Sequence, residues 1–332
     1  MSELQFKNVL ITGGAGYVGS ALIPDLLEKG YNVTVYDLYL YGDVFKNIKS
    51  PNLIQIKGDI RDKNKFTEAT KGIDAIIHLA CISNDPSFEL NPSLGKTINY
   101  DAFFNLMESS RINKIKRFIY ASSSSVYGVK KEKNVVETSA CEPLTDYSKY
   151  KLLCEDALLK DKSNFERVII RPATVCGYSQ RLRLDLVVNI LTINALINKK
   201  IKIFGGKQLR PNINIKDMVR AYELLLTAPS EKIDRQIFNA GYDNLSVEKI
   251  AKLVKDTIGD EGISLEVAPT DDLRSYHINS DKIKKMLGFK TKYDLEDAIE
   301  SLVDAYKKGL IIDGLNNPLY HNIKLMQSVS LK

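Results

Sequence analysis

Six short runs of apolar and β-branched residues recur through the first half of the chain: "NVLIT" (8–12), "NVTVYD" (32–37), "LIQIKGD" (53–59), "DAIIHLA" (74–80), "RFIYASS" (117–123) and "RVIIRPA" (167–173). They are apolar nearly throughout rather than alternating, as strands buried on both faces must be. Helical patterns separate them, over residues 17–29, about 61–70, about 93–114 and 146–160. Strands alternating with helices in this way form a parallel sheet covered on both faces. After about residue 175 the pattern loosens into a helix near 184–198, short runs "KIKIF" and "QIFNAG", and helices near 246–258 and 294–308. The expected class is α/β: a doubly wound parallel sheet over residues 1–178 and a smaller C-terminal α/β lobe over 179–332, with the chain free to cross back between them. The terminal "HNIKLMQSVSLK" shows no periodicity and reads as a frayed tail.

Composition narrows the partners. At 332 residues and 44% hydrophobic, the chain can bury a large core. Its net charge of +6 comes from lysines scattered among acids, which argues against nucleic acid and suits anionic small molecules. Cys81, Cys141, Cys154 and Cys176 are far apart, and three histidines are too few for a zinc site, so no metal and no disulfide framework is expected. No apolar stretch reaches membrane length and none precedes the first strand as a leader would. The expected setting is a reducing cytoplasm, with no membrane partner.

"ITGGAGYVGS" lies where the first strand turns into the first helix, with Gly13, Gly16 and Gly19 at G-x-x-G-x-x-G spacing. Glycines there allow a tight turn and let backbone N–H groups at a helix N-terminus approach a pyrophosphate. Asp37 closes the second strand about twenty residues on, where a carboxylate accepts the adenosine ribose hydroxyls and repels a 2′-phosphate. The fold this predicts is Rossmann-type and the cofactor NAD. Tyr17 and Val18 lie within the loop, and Asp59 and Ile60 after the third strand are placed to hold the adenine.

In "TDYSKYKLLCE" (145–155) the helical period puts Tyr147 and Lys151 on one face, while Tyr150 is offset and shares a face with Cys154. A phenol packed on a lysine stem and a catalytic pair both fit those letters.

The glycine loop, Asp37, "HLA" (78–80), "SSSSVYG" (122–128), Tyr147-x-x-x-Lys151 and "RPATVCG" (171–177), in that order, resemble the extended short-chain dehydrogenases/reductases. Within them, the chain is similar to the NAD-dependent epimerase/dehydratase family acting on nucleotide sugars. The resemblance implies that Ser123, Tyr147 and Lys151 are catalytic, with Lys151 lowering the pKa of the Tyr147 phenol so that it can serve as a base. It places Leu79, Ala80, Pro172 and Val175 against the cofactor. Four consecutive serines leave the assignment of Ser123 ambiguous by one position. The family's 4,6-dehydratases carry an Asp-Glu pair where this chain has Ser124 and Ser125, which disfavours dehydration.

The resemblance further implies a nucleotide-diphosphate sugar as substrate, touched by Ser124, Arg183, Asn189, Arg210 and Arg274. Guanidinium forks from separate segments suit a diphosphate. Thr174 stands where hexose 4-epimerases commonly carry Asn, and Pro211, Asn212 and Asn214 depart from the acidic, aromatic and His residues usual after Arg210. The expected reaction is C4 epimerisation through a 4-keto sugar, in surface-polysaccharide sugar supply. A net 4-dehydrogenase or 4-ketoreductase shares every catalytic residue, and a non-catalytic NAD-binding regulator is the reading from another class. The helices near 93–114 and 146–160 resemble those that pair across a two-fold axis in relatives, so a homodimer is expected.

Overall fold

The computed structural model describes residues 4–270 and 275–329. Its strands are β1 (Asn8–Thr12), β2 (Asn32–Asp37), β3 (Leu53–Lys57), β4 (Ala75–His78), β5 (Arg117–Ala121), β6 (Glu166–Pro172), β7 (Thr174–Cys176), β8 (Lys200–Phe204), β9 (Leu209–Asn214), β10 (Gln236–Ala240), β11 (Asp243–Ser246) and β12 (Ser264–Ala268). Seven form one sheet in the order β10-β6-β5-β4-β1-β2-β3, every neighbouring pair parallel. β2 and β4 flank β1 on opposite sides, so the strand order reverses there and a crevice opens beyond the strand C-termini.

Alternation along each strand divides the core between the two faces. Val9, Ile11, Ile77, Ile119, Val168 and Ile170 join Leu22, Ile23, Met218 and Leu225 on one side. Leu10, Ile76, Phe118 and Ile169 join Phe103, Leu106, Cys154 and Leu158 on the other. Each such fully buried side chain contributes about 1.5–3 kcal/mol. β3 differs from its expected burial because it is an edge strand, and its Ile54 is 56% exposed.

The long helix expected near 93–114 is divided into Pro92–Lys96, a π turn over Thr97–Asp101, and Ala102–Ile112. The wider turn accompanies an inward Asn99, whose amide clamps Ile82 by both edges: Ile82 N donates to Oδ1 at 2.8 Å and Nδ2 donates to Ile82 O at 2.9 Å. That clamp holds the loop after β4, which lines the crevice. Helix Asp146–Lys160 starts where expected because Thr145 caps it, its hydroxyl accepting from Ser148 N.

"QIFNAG" was placed with the C-terminal lobe by sequence, but β10 runs beside β6 as the seventh strand of the main sheet. Phe238 and Ala240 are fully buried there, and helix Ile215–Thr227 packs Met218, Tyr222 and Leu225 into the same core. The smaller unit holds the sheet β11-β9-β7, the pair β12-β8, and helices Val187–Asn198, Val247–Ile258 and Leu295–Lys307 around Val188, Ile201, Val254 and Ile299.

The frayed tail expected at the C-terminus is corrected through residue 329. Asn322–Ser328 is a helix, with Asn322 and Leu325 buried and Met326 packed against the core. Seven residues are too few to display a period; their burial comes from the surfaces they meet. Among the described residues, no helix is long and apolar enough to cross a membrane and no three His, Cys, Asp or Glu side chains could hold a metal ion.

Candidate active site

A cleft of about 690 Å³ follows the C-terminal ends of the central strands and reaches into the smaller unit. Its floor is the glycine loop. Gly13 has φ +68°, and a Cβ there would lie 2.6 Å from Ala80 Cα; a Cβ on Gly19 would overlap the Gly14 carbonyl. Glycine at both positions lets the loop pack on the residues after β4 and on itself at the start of helix Gly19–Glu28, whose N–H groups suit a phosphate-bearing ligand. Asp37 stands beside them, accepting from Tyr39 N at 2.7 Å and Ala15 N at 3.0 Å. Burial raises its carboxyl above the ordinary value against those N–H groups. Such a cradle with an acid at its rim fits NAD. Gly16, Tyr17, Val18, Asp59, Ile60, Leu79 and Ala80 line the same cleft. The Tyr17 phenol turns away from the cleft and donates to Gly177 O at 2.5 Å, tying the loop to the end of β7. Burial pushes Asp59 upward, and the guanidinium and N–H of Arg61 bring it below the ordinary range.

Midway along the cleft lie Ser123, Tyr147 and Lys151. The structure separates the four serines. Ser122 donates its hydroxyl inward to the buried Glu155. Ser123 faces Tyr147 and accepts from Ser125 Oγ at 2.9 Å and Ser125 N at 3.1 Å. Ser125 in turn accepts from Ser148 at 2.8 Å, so the loop bearing Ser123 is locked to the helix bearing Tyr147. Ser124 is buried at the cleft wall.

Burial holds the Tyr147 phenol well above its ordinary pKa, Cys81 and Asp85 add to this, and Arg183 and a hydrogen bond from Ser123 draw it down. Lys151, expected to do the lowering, is only 3% exposed and donates to Ala121 O at 2.6 Å, its ammonium 5.0 Å from the Tyr120 ring centroid and 5.9 Å from that of Tyr147. Arg183 and Ser123 favour the phenolate in this arrangement. His78 beneath them, lowered to about 3 by burial and by Lys151, is a neutral ring paired with Thr12 at 2.7 Å.

Pro172 and Val175 line the cleft beside Thr174, and Arg183 and Arg210 line it as well. Arg183 Nε is 3.5 Å from Asp185 Oδ2. Arg210 lies with its Cζ 5.9 Å from the Tyr276 ring centroid. Asn189 is not brought to the cleft. It is fully buried behind the wall, accepting from Gly177 N at 2.9 Å and donating to Arg183 O and Tyr17 OH, so its amide supports those residues instead of facing a ligand. Arg274 lies outside the described residues. Asn214, at the position of the usual His, caps helix Ile215–Thr227 through Lys216 N.

Tyr41, Cys81, Arg181 and Asn322 also line the cleft and were not among the expected site residues. Arg181 stands two residues before Arg183 in one segment, a signal present in the sequence. Asn322 has no local signal, since only the docking of the last helix brings it in.

The NAD dependent epimerase/dehydratase family model matches residues 9–241. A Methanocaldococcus jannaschii protein provisionally assigned as a UDP-glucose 4-epimerase is 30% identical over 90% of this chain and 98% of its own. The structure of UDP-glucose 4-epimerase from Thermotoga maritima with UDP-glucose superposes with a TM-score of 0.83, at 26% identity over 91% of this chain and 99% of that one. MoeE5 in complex with UDP-glucuronic acid and NAD gives a TM-score of 0.78, with the same identity and coverage. The glycine cradle, Asp37 and the Ser123, Tyr147, Lys151 cluster stand on the matched fold, and the chain is a member of the NAD-dependent epimerase/dehydratase family.

Proposed function

We propose that the protein epimerises a nucleotide-diphosphate sugar at C4 through a 4-keto intermediate, for surface-polysaccharide synthesis. The observation that carries this is the placement of Ser123, Tyr147 and Lys151 in one cleft between the glycine cradle and the arginines Arg183 and Arg210. Tyr147 takes the C4 hydroxyl proton, Ser123 orients the reacting oxygen, and Arg183 and Arg210 hold the diphosphate. NAD held by the glycine cradle and Asp37 would supply the hydride acceptor and donor for C4. An epimerase needs the keto sugar to turn over between loss and return of the hydride while the diphosphate stays anchored, and a cleft of about 690 Å³ lined by Arg183 and Arg210 supports that. Ser124 and Ser125 are hydroxyls with no acid or base character at neutral pH, which supports a reaction without loss of water.

Thr174 in the cleft wall favours the second reading, a net 4-dehydrogenase or 4-ketoreductase, since it replaces the Asn common in hexose 4-epimerases. The two readings part on cofactor redox balance. Purified protein given UDP-, GDP-, dTDP- and CDP-sugars is followed at 340 nm and by sugar analysis. Interconversion with no net NADH supports the epimerase, and NADH accumulating in step with sugar oxidised sinks it.

We also propose a homodimer. Phe104 is 43% exposed and Leu153 44%, and the helices that carry them are joined by Tyr100, whose ring centroid lies 5.2 Å from that of Phe104 and 5.4 Å from that of Tyr150. Light scattering at micromolar concentration is expected to give twice the chain mass, and a Phe104→Glu/Leu153→Asp variant the monomer mass. A monomeric wild type contradicts the proposal.

A further inference from the structure

Among the described arginines that line the cleft, Arg181 is the one that is buried, and no ion pair joins it to a described carboxylate. It is 4% exposed, and its Nε has no hydrogen-bond partner. One terminal nitrogen donates to Asn322 Oδ1, and its Cζ sits 3.5 Å from the Tyr41 ring centroid. The nearby carboxylates are engaged elsewhere: Asp37 on the N–H groups of Ala15 and Tyr39, Asp185 on Asn322 N at 2.8 Å and beside Arg183. Burial lowers the guanidinium to about 10, so at neutral pH it keeps its charge. A buried cation that lacks a counter-ion is costly unless a ligand supplies one.

Its position says which ligand. Arg181 N donates to Ser20 Oγ at 3.1 Å, and Ser20 lies one residue past Gly19 in the first turn of the helix that the glycine loop opens. Asp37, at the adenosine end, feels the Arg181 charge, whereas Tyr147, at the reacting end, feels that of Arg183. The glycine loop itself supplies only partial charges from N–H groups, while a dinucleotide diphosphate carries two full negative charges. Asn322 fixes the fork in place, since its Nδ2 donates to Ser83 Oγ at 3.0 Å and so joins the last helix to the loop after β4.

We infer that Arg181 neutralises the diphosphate of the NAD cofactor, held in position by Asn322 and the Tyr41 ring, while Arg183 and Arg210 are left for the substrate. The assignment does not depend on which sugar is turned over. Cofactor-free protein is titrated calorimetrically with NAD, with adenosine, which lacks the diphosphate, and with UDP. In Arg181→Met the NAD dissociation constant is expected to rise about tenfold or more, with adenosine and UDP affinities within about twofold of wild type. Equal losses for NAD and adenosine would overturn the inference by showing a general collapse of the pocket. A loss confined to UDP would overturn it by moving the arginine to the substrate side, and an unchanged NAD affinity would also end it. If Arg181→Met does not accumulate folded, Arg181→Lys keeps a cation but loses the fork, and the same NAD-specific loss is expected at smaller size, with the same results counting against it.

Discussion

Tyr147→Phe is expected to lower turnover by about 10²–10⁴-fold, the usual contribution of a positioned proton-transfer group. The substitution removes one oxygen. The ring packs against the core that holds Phe103 and Cys154, so stability is expected to stay within about 0.5 kcal/mol of wild type. NAD affinity is expected to be unchanged, because the glycine cradle and Asp37 are untouched. The phenol is the group that Ser123 and Arg183 favour as phenolate against burial. The check is kcat beside a cofactor titration on the same preparation. Retention of more than a tenth of wild-type turnover would remove Tyr147 from proton transfer.

The largest loss of stability is expected from Arg171→Met. Arg171 and Glu155 are 3% and 1% exposed and form a two-pronged pair, Nη2 to Oε2 at 2.5 Å and Nε to Oε1 at 3.0 Å. Burial alone would lower the guanidinium, but the Glu155 carboxylate outweighs it and raises Arg171 above its ordinary value. The third nitrogen, Nη1, donates to Tyr127 OH at 2.8 Å, which donates onward to Asn239 Oδ1 at 2.7 Å. Removing the arginine leaves Glu155 charged and unpaired, at a cost of about 3–5 kcal/mol. The midpoint in a urea titration should fall accordingly. Replacing both partners, Arg171→Met with Glu155→Leu, is expected to recover most of that loss, because the buried charge goes with its partner. A single variant losing under about 1 kcal/mol would mean that water or a neighbour already compensates Glu155. The pair also matters to the site, since Glu155 lies one turn after Lys151 and Arg171 directly before Pro172, so loosening it shifts both walls of the cleft.

Particular residues show how far the sequence could be read. β1 and β2 run over Asn8–Thr12 and Asn32–Asp37 as their apolar runs predict, because a strand buried on both faces writes its limits in consecutive side chains. Tyr147 and Lys151 could be paired from i, i+4 spacing alone, whereas Ser123 could not be told from its neighbours until the turn after β5 aimed each hydroxyl separately. Asn189 and Arg183 lie six positions apart on the same segment and looked alike as ligands for a polar substrate. Their packing divides them, one amide spent on Tyr17 and Gly177 and one guanidinium left at the cleft.

The parallel sheet, the glycine cradle with Asp37, and the shared face of Tyr147 and Lys151 are legible in the order of residues, because each depends on spacing within one element or across one turn. Folding alone brings β10 into the main sheet, Asn322 to the cleft from the last helix, and Arg181 against Tyr41 and Ser20 near the cofactor cradle. Those outcomes rest on contacts between residues up to 239 positions apart, as with Asn322 and Ser83, and such contacts leave no period or motif in the chain that makes them.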